Sequence, residues 1–496
     1  MQSHVETFHN FVGGRWVPSA AGETYELHDP ADASEAIGRF QGSGVEDARA
    51  AIAAAQEAFA AWRSTPAPQR GQALFRAWSL MKERVEEFAR TITKEEGKPI
   101  ADARGEVKRA LNVLEFTAGE GRRLLGDTIP SELPKTLIYT QRRPLGVTAV
   151  ITPWNFPLAI PVWKVAPALV SGNTVVFKPA SSTPLTAIAL VKVFVDAGLP
   201  AGVLNMVTGP GATVGKELAT NPSVRAISFT GSTETGRWIY GAASGTLKKV
   251  QCEMGGKNAV VVAEDADLDL AVEGVVQGAF GSSGQRCTAT SRVVVLKGAK
   301  GPFMEKLAAR TTSLKVGPGL DARTDVGPLS SREQLDKVMG HIALARKEGA
   351  RLVAGGRRMA GGHFDGGFYV EPTIFDGVEP GMSIAQQEIF GPVLAVLEAE
   401  DMDEAMKLAN DSLFGLSGSI YTSDLAKAMK YAEEAEAGML HINSPTLGGE
   451  AHVPFGGLKQ SGLGIREQGR RAIEFFTEEV VVYMDYTGKK RDARFI

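Results

Sequence analysis

Gly146-Val147-Thr148-Ala149-Val150-Ile151-Thr152-Pro153-Trp154-Asn155-Phe156-Pro157 is the stretch that decides the architecture of this chain. A β-branched run from Val147 to Ile151 reads as a strand, and two prolines then hold a polar turn where that strand ends. The pattern recurs at Thr174-Val175-Val176-Phe177, Val203-Leu204-Asn205-Met206-Val207, Ala226-Ile227-Ser228-Phe229 and Lys249-Val250-Gln251-Cys252, with helical periodicity in each gap. Five strands joined by four crossovers between Gly146 and Glu253 predict an α/β fold built on a parallel, doubly wound sheet. Such sheets bind ligands at the carboxyl ends of their strands, so the turns after Ile151, Phe229 and Cys252 are the places to look for chemistry.

Upstream, Val12-Gly13-Gly14-Arg15-Trp16-Val17-Pro18 reads as a hairpin, because Gly-Gly supplies the positive φ of a tight turn. Helical periodicity then covers Val45 to Trp62, Pro66 to Thr93 and Ala101 to Gly121. Leu137 to Arg143 is β-prone and leaves the helical region as an arm, with the β-branched run Glu479 to Met484 as its natural mate; pairing across an oligomer interface is the favoured expectation. Downstream of Gly255-Gly256 a second α/β region predicts strands at Ala259–Val262, Val293–Leu296, Phe368–Ile374, Pro392–Leu397 and Gly418–Tyr421, with helices at Asp403–Asn410 and Asp424–Glu436. Pro454 to Gly464 is glycine-dense and reads as a structured surface loop.

At 496 residues the chain is long enough for more than one domain, and 44% hydrophobic with 22% charged residues is an ordinary globular composition. A formal net charge of −3 gives no basic footprint for nucleic acid, and Lys489-Lys490-Arg491 reads as a solvated tail. No apolar run is long enough for a membrane span, and Met1 to Thr7 lacks a basic segment followed by an apolar one. Two cysteines suit a reducing cytoplasm, and the seven histidines show no metal-ligand spacing.

One of those cysteines, Cys287, lies in the turn Gly281 to Arg292, between a helical pattern from Asp267 to Phe280 and a strand pattern from Arg292 to Leu296. Reactive groups sit on loops carried by rigid elements, and Arg286 beside the thiol predicts a lowered pKa. The plain alternative is a small buried hydrophobe. Three strand ends fit the same chemistry. Asn155, held between prolines, can donate to a developing oxyanion. Thr230-Gly231-Ser232-Thr233-Glu234-Thr235-Gly236 opens a helix and suits phosphate oxygens. Glu253 ends a strand just before Gly255-Gly256 and can act as a general base. Each has a structural alternative, as turn former, helix cap or salt-bridge partner. Taken together they describe covalent oxidation of an aldehyde: thiolate addition, hydride loss to a nicotinamide, then hydrolysis of a thioester. Cys252, next to Glu253, reads as a core residue, with an off-pathway disulfide to Cys287 as the alternative.

Pro153-Trp154-Asn155-Phe156-Pro157, Lys178-Pro179-Ala180-Ser181, Phe229-Thr230-Gly231-Ser232, Glu253-Met254-Gly255-Gly256-Lys257, Gly284-Gln285-Arg286-Cys287, Glu388-Ile389-Phe390-Gly391-Pro392 and Pro454-Phe455-Gly456-Gly457 occur in one order. In that order the chain resembles the aldehyde dehydrogenase superfamily from about Phe11 to its end. The resemblance implies a Rossmann-type NAD(P)-binding domain over 1–124 and 146–254, and a second α/β catalytic domain over 255–453. It also implies a β-hairpin oligomerisation arm over 125–145 and 471–496, with assembly into a homodimer or homotetramer. By resemblance Cys287 is the nucleophile, Glu253 the base, and Asn155 with the backbone N–H of Cys287 the oxyanion hole. Lys178 is implied at the adenosine ribose, Ser232 at the pyrophosphate, Glu388 at the nicotinamide ribose and Phe390 near the nicotinamide. Ile151, Thr152, Trp154, Ser181, Gly211, Phe229, Gly231 and Gly255 complete the implied cofactor set, with Trp154 mainly as packing. Phe156, Trp163, Arg286 and Phe455 are the substrate-side residues.

NAD-preferring members often carry glutamate three residues after the lysine, where this chain has Ser181. Lys178 beside hydroxyls and without an opposing carboxylate suits the 2′-phosphate of NADP, so NADP is expected to serve at least as well as NAD. The alternative is that Ser181 merely caps a turn near the helix starting at Pro184. Glu253 favours hydrolysis over transfer to coenzyme A. Succinate-semialdehyde dehydrogenases resembling this chain often carry arginines where Trp163 and Gly281 stand. The runs around Trp163, Cys287 and Phe455 look most like members acting on 2,5-dioxopentanoate, which would yield 2-oxoglutarate. A distant substrate carboxylate would want a cation at the funnel, with Arg123 and Arg286 as candidates.

Overall fold

All five strands of the central stretch form, and they lie side by side in one parallel sheet. Their spatial order is Leu204–Met206, Thr174–Lys178, Val147–Ile151, Val224–Thr230 and Lys249–Glu253. The chain starts at the middle strand, winds outward to one edge, then returns to build the other half. Strands Val147–Ile151 and Val224–Thr230 are therefore neighbours whose outgoing turns diverge, which opens a crevice at their carboxyl ends. Every residue of Val147–Ile151 and Thr174–Lys178 is buried, as expected of strands covered on both faces. This computed structural model describes residues 5–490; Met1 to His4, Arg491 of the basic run and the last residues of the arm, 491–496, lie outside the described residues.

The sheet is extended at both edges by antiparallel pieces. The hairpin Asn10–Val12/Arg15–Val17 turns at Gly13 and Gly14, with φ of +58° and +83°, and pairs Phe11 with Met206. At the opposite edge Gly462–Leu463 pairs with the strand bearing the predicted base, Gly462 opposite Glu253 and Leu463 opposite Cys252. The glycine-dense loop is thus not wholly a surface feature. Phe455, Gly456 and Gly457 are buried, because the loop folds under Glu253 on its way back to the first sheet.

The second sheet runs Arg351–Ala354, Thr373–Asp376, Val393–Ala399, Thr290–Leu296, Asn258–Val262, Ser417–Tyr421 and Met439–Ile442, and only Arg351–Ala354 is antiparallel. The strand expected from Phe368 begins only at Thr373, since Pro372 has no N–H to give to a ladder. The two edge strands, Arg351–Ala354 and Met439–Ile442, are short and partly exposed and carry little apolar signal.

Helices Val45–Ser64, Ala67–Glu83, Val85–Glu96 and Ile100–Glu120 build the N-terminal layer. The single helix expected from Pro66 to Thr93 is two, broken at Arg84 (φ −109°, ψ 20°). In the arm, Thr136–Pro144 pairs with Thr477–Asp485 along nine residue pairs, and Thr128–Ile129 adds a third strand. The two mates meet within one chain, where the sequence reading favoured a pairing between chains. No helix among the described residues is long and apolar enough to cross a membrane.

Candidate active site

Cys287 follows the helix Leu268–Phe280, whose start is capped by the Asp267 carboxylate. Between them Ser282, Ser283 and Gly284 all have positive φ (+49°, +57° and +70°), a strained run that is pinned from outside. The Ser282 N–H donates to Asp102 Oδ2 at 2.8 Å, and Ser283 Oγ donates to the Gly327 carbonyl at 2.8 Å. A Cβ on Gly284 would stand 2.2 Å from the Gly391 carbonyl oxygen, so only glycine fits. On the other side Asn258 Nδ2 donates to the Cys287 carbonyl at 2.8 Å, and Gly256 backs directly onto that carbonyl. The run Glu253 to Asn258 is thereby docked against the cysteine.

The thiol environment reverses one expectation. Burial first, then the Glu253 and Glu388 carboxylates, push Cys287 up to about 12. Arg286 does not offset this, because its guanidinium turns away to Asp102 Oδ1 (3.1 Å) and Ser282 Oγ (2.9 Å). Adjacency in sequence put the cation beside the cysteine, but successive side chains diverge. Cys252 is no partner for Cys287: it faces the opposite side of its strand from Glu253, packs in the core with Phe229 and Ile239, and burial lifts it to about 12.

Asn155 is buried and donates from Nδ2 to the Gln285 carbonyl at 3.0 Å, which leaves its second N–H available two residues from Cys287. Its own carbonyl accepts from Lys98 Nζ at 2.5 Å. Lys98 is in turn paired with Glu106 at 2.8 Å, and Glu106 accepts the Leu158 and Ala159 N–H groups that open the helix Ala159–Val170. This buried lysine and glutamate, which the sequence reading missed, fix the Asn155 turn from below.

Glu253 is buried, and its Oε2 has no hydrogen-bond partner among the described residues. Burial, then the Glu467 carboxylate, hold it well above the usual carboxylate range, with Lys164 and Arg466 opposing. Lys164 and Glu467 form a buried ion pair, and Lys164 Nζ also donates to Ser228 Oγ at 3.0 Å. Both are further residues that the sequence reading passed over. A carboxylate kept at high proton affinity beside a thiol has the character of a general base working near neutral pH.

Phe156, Trp163, Arg286 and Phe455 come together with Cys287 on the wall of one cavity of about 400 Å³. The Trp163 and Phe455 rings lie 5.5 Å apart. Arg123 is not there: it is paired with Glu120 at 2.6 Å and half exposed. Arg109, unnoticed in the sequence, lines the cavity instead.

The cofactor-side residues cluster around the crevice between the central strands. The Thr152 N–H donates to the Lys178 carbonyl at 3.2 Å, next to Ile151, and the Thr152 and Thr230 hydroxyls have no partner among the described residues. Lys178 is buried, donates to the Pro179 carbonyl at 3.0 Å, and is lowered to about 8 by burial. Ser181 Oγ donates to the Gly209 carbonyl at 3.0 Å, so it bridges two loops and does not cap the Pro184–Asp196 helix. Gly211 opens the short helical turn Gly211–Gly215, exposed over its first three residues. Ser232 caps the helix Thr233–Ser244, and a Cβ on Gly231 would stand 2.5 Å from the Phe229 ring. Glu388 accepts the Gly256 N–H at 2.9 Å, and a Cβ on Gly255 would meet its carboxylate at 2.4 Å. Phe390, at φ +61°, sets its ring edge-on to Trp154 at 5.3 Å. Orphaned hydroxyls, a buried lysine and a capped helix N-terminus at a switch point fit a dinucleotide.

Comparison with known proteins gives the same answer. The profile of the aldehyde dehydrogenase family matches residues 16–482. The chain is 47% identical over 478 residues to an alpha-ketoglutaric semialdehyde dehydrogenase of Bacillus subtilis, covering 96% of this chain and 98% of that one. It is 43% identical over 475 residues to a 2,5-dioxopentanoate dehydrogenase of Saccharolobus solfataricus, covering 95% and 98%. Among solved structures, a putative aldehyde dehydrogenase from Burkholderia cenocepacia superposes with a TM-score of 0.95 at 38% identity, over 99% of both chains. A betaine aldehyde dehydrogenase from Staphylococcus aureus in complex with NAD+ gives 0.95 at 34% identity, over 98% of this chain and 96% of that one. The chain belongs to the aldehyde dehydrogenase family, oxidoreductases that act on aldehydes with NAD(P).

Proposed function

We propose that this enzyme oxidises 2,5-dioxopentanoate to 2-oxoglutarate, with Cys287 as nucleophile and Glu253 as base. The observation that carries the reading is the docking of the Glu253–Asn258 run onto Cys287, on the wall of a cavity that it shares with cations and aromatic rings. Cys287 Sγ adds to the aldehyde carbon, and the free N–H of Asn155 with the backbone N–H of Cys287 faces the oxyanion of the thiohemiacetal. NAD(P), when bound, supplies the acceptor for the hydride whose loss turns that adduct into a thioester. Glu253 then takes a proton from water as its oxygen adds to the thioester carbon. Collapse releases the carboxylic acid and returns the Cys287 sulfur.

NADP is the preferred cofactor in this reading. Lys178 has no carboxylate within ion-pair distance among the described residues, and Ser181 stands where an acidic side chain would repel a 2′-phosphate. The enzyme assembles as a homodimer or homotetramer through its arm, a reading supported by the outermost place of Thr477–Asp485 in its three-stranded sheet and by the exposed Val481, Tyr483 and Met484. Its two free cysteines fit a cytoplasmic setting.

The test is kcat/KM of the purified enzyme for 2,5-dioxopentanoate, succinate semialdehyde, betaine aldehyde and an unbranched aliphatic aldehyde, each with NAD and NADP. The reading expects 2,5-dioxopentanoate with NADP to lead; a clear preference for betaine aldehyde or for NAD overturns the corresponding part.

A further inference from the structure

Two arginines line the cavity that holds Cys287, and only one of them is neutralised. Arg286 is paired with Asp102 at 3.1 Å. Arg109 enters from the helix Ile100–Glu120, and among the described residues no carboxylate lies within 4 Å of it. Its contacts orient the charge without cancelling it. Nη2 donates to Gln468 Oε1 at 2.6 Å, and the guanidinium carbon lies 5.9 Å from the centre of the Trp163 ring. Gln468 is itself buried and held at φ +59°, and its Nε2, a second donor on the same side chain, has no partner among the described residues.

A guanidinium that is largely removed from water and left without a counter-charge is costly unless something brings that charge. Burial lowers Arg109 to about 10, and Glu450, the one acid whose charge acts on it, stays beyond ion-pair distance. An arginine fork is matched in shape to a carboxylate, which it can hold with two parallel hydrogen bonds.

We propose that Arg109 is the anchor for the carboxylate at the far end of the aldehyde substrate, and that with Gln468 it selects semialdehydes of dicarboxylic acids over uncharged aldehydes. The proposal rests on the aldehyde-oxidising reading of Cys287 and makes its substrate class a property of one residue. Trp163, which stands where some relatives by resemblance carry an arginine, then serves as the face against which Arg109 lies.

The experiment compares the parent enzyme with Arg109→Gln and Arg109→Lys. It measures kcat/KM for 2,5-dioxopentanoate, 5-oxopentanoate and pentanal, normalised to titratable Cys287 thiol. In the parent, both charged aldehydes are favoured. In Arg109→Gln the ratio of charged to uncharged kcat/KM falls at least about 30-fold, mostly through KM, and Arg109→Lys is intermediate. Binding of glutarate, read by isothermal titration calorimetry, weakens in the same order; it needs no turnover and can be read in the lysine variant if the glutamine variant does not fold. A ratio within about threefold of the parent overturns the anchor while the semialdehyde reading stands. A parent that oxidises pentanal as well as the charged aldehydes overturns both.

Discussion

A single methyl group at Gly456 tests whether Glu253 works by its position. A Cβ there would stand 2.3 Å from Glu253 Oε1 and 2.8 Å from Arg466 Cδ, whereas ordinary contact begins at 3.4 Å. In Gly456→Ala both obstacles belong to flexible side chains and neither to the backbone, so the fold survives and the carboxylate retreats by about 1 Å. The backbone φ of +150° adds roughly 1–2 kcal/mol of strain, too little to unfold a protein of this size. Addition of Cys287 and hydride loss do not need water to be activated, so they persist. Hydrolysis of the thioester needs the base within hydrogen-bond reach of water, and a misplacement of that size costs about 10²-fold. Stopped-flow absorbance of reduced nicotinamide is therefore expected to show a burst of about one equivalent per site, then a steady rate up to about 100-fold below the parent. The burst of Glu253→Gln, which lacks the base altogether, sets the scale. A folded Gly456→Ala enzyme with the parental steady rate and no burst would refute the assignment of Glu253 to hydrolysis.

Three further outcomes follow from the charges around the site. Lys178, lowered to about 8, carries its charge below that pH and loses it above, so KM for NADP is expected to rise about tenfold by pH 9 while KM for NAD stays flat; parallel profiles would remove Lys178 from the 2′-phosphate. Lys98→Met leaves Glu106 and Glu96 buried without their cation, which is expected to cost about 3–5 kcal/mol in denaturant titration, and an unchanged midpoint would show that the pair is not holding the Asn155 turn. Glu253→Gln removes one of the charges that raise the Cys287 thiol, so alkylation by iodoacetamide at pH 8 is expected to quicken several-fold, and equal rates would mean that burial and the remaining carboxylates set the thiol without Glu253.

The central sheet was readable because Val147–Ile151 and its neighbours are buried on both faces and so are written as unbroken apolar runs. The positions of Cys287, Glu253 and Asn155 were readable because each stands at or just past the end of a strand or helix, where punctuation by Gly and Pro is visible. What sets their chemistry was not. Lys98, Glu106, Lys164 and Glu467 sit inside helices or loops far along the chain from the residues they hold, and charge in a helix normally reads as a solvated face. Arg286 misled for the converse reason, since one step along the backbone says nothing about which way a guanidinium turns. Arg109 was hidden by the same helix periodicity that revealed its helix.

The short strand Gly462–Leu463 has a consequence for biosynthesis. It is the last piece of the first sheet to leave the ribosome, and until it does, the strand ending in Glu253 is a bare edge. Lys164 likewise waits for Glu467, and Asn173 Nδ2 for the Phe476 carbonyl at 2.8 Å. A nascent chain can therefore assemble most of its scaffold early yet stay catalytically incomplete, and chains cut short before Phe455 would expose an adhesive margin to one another.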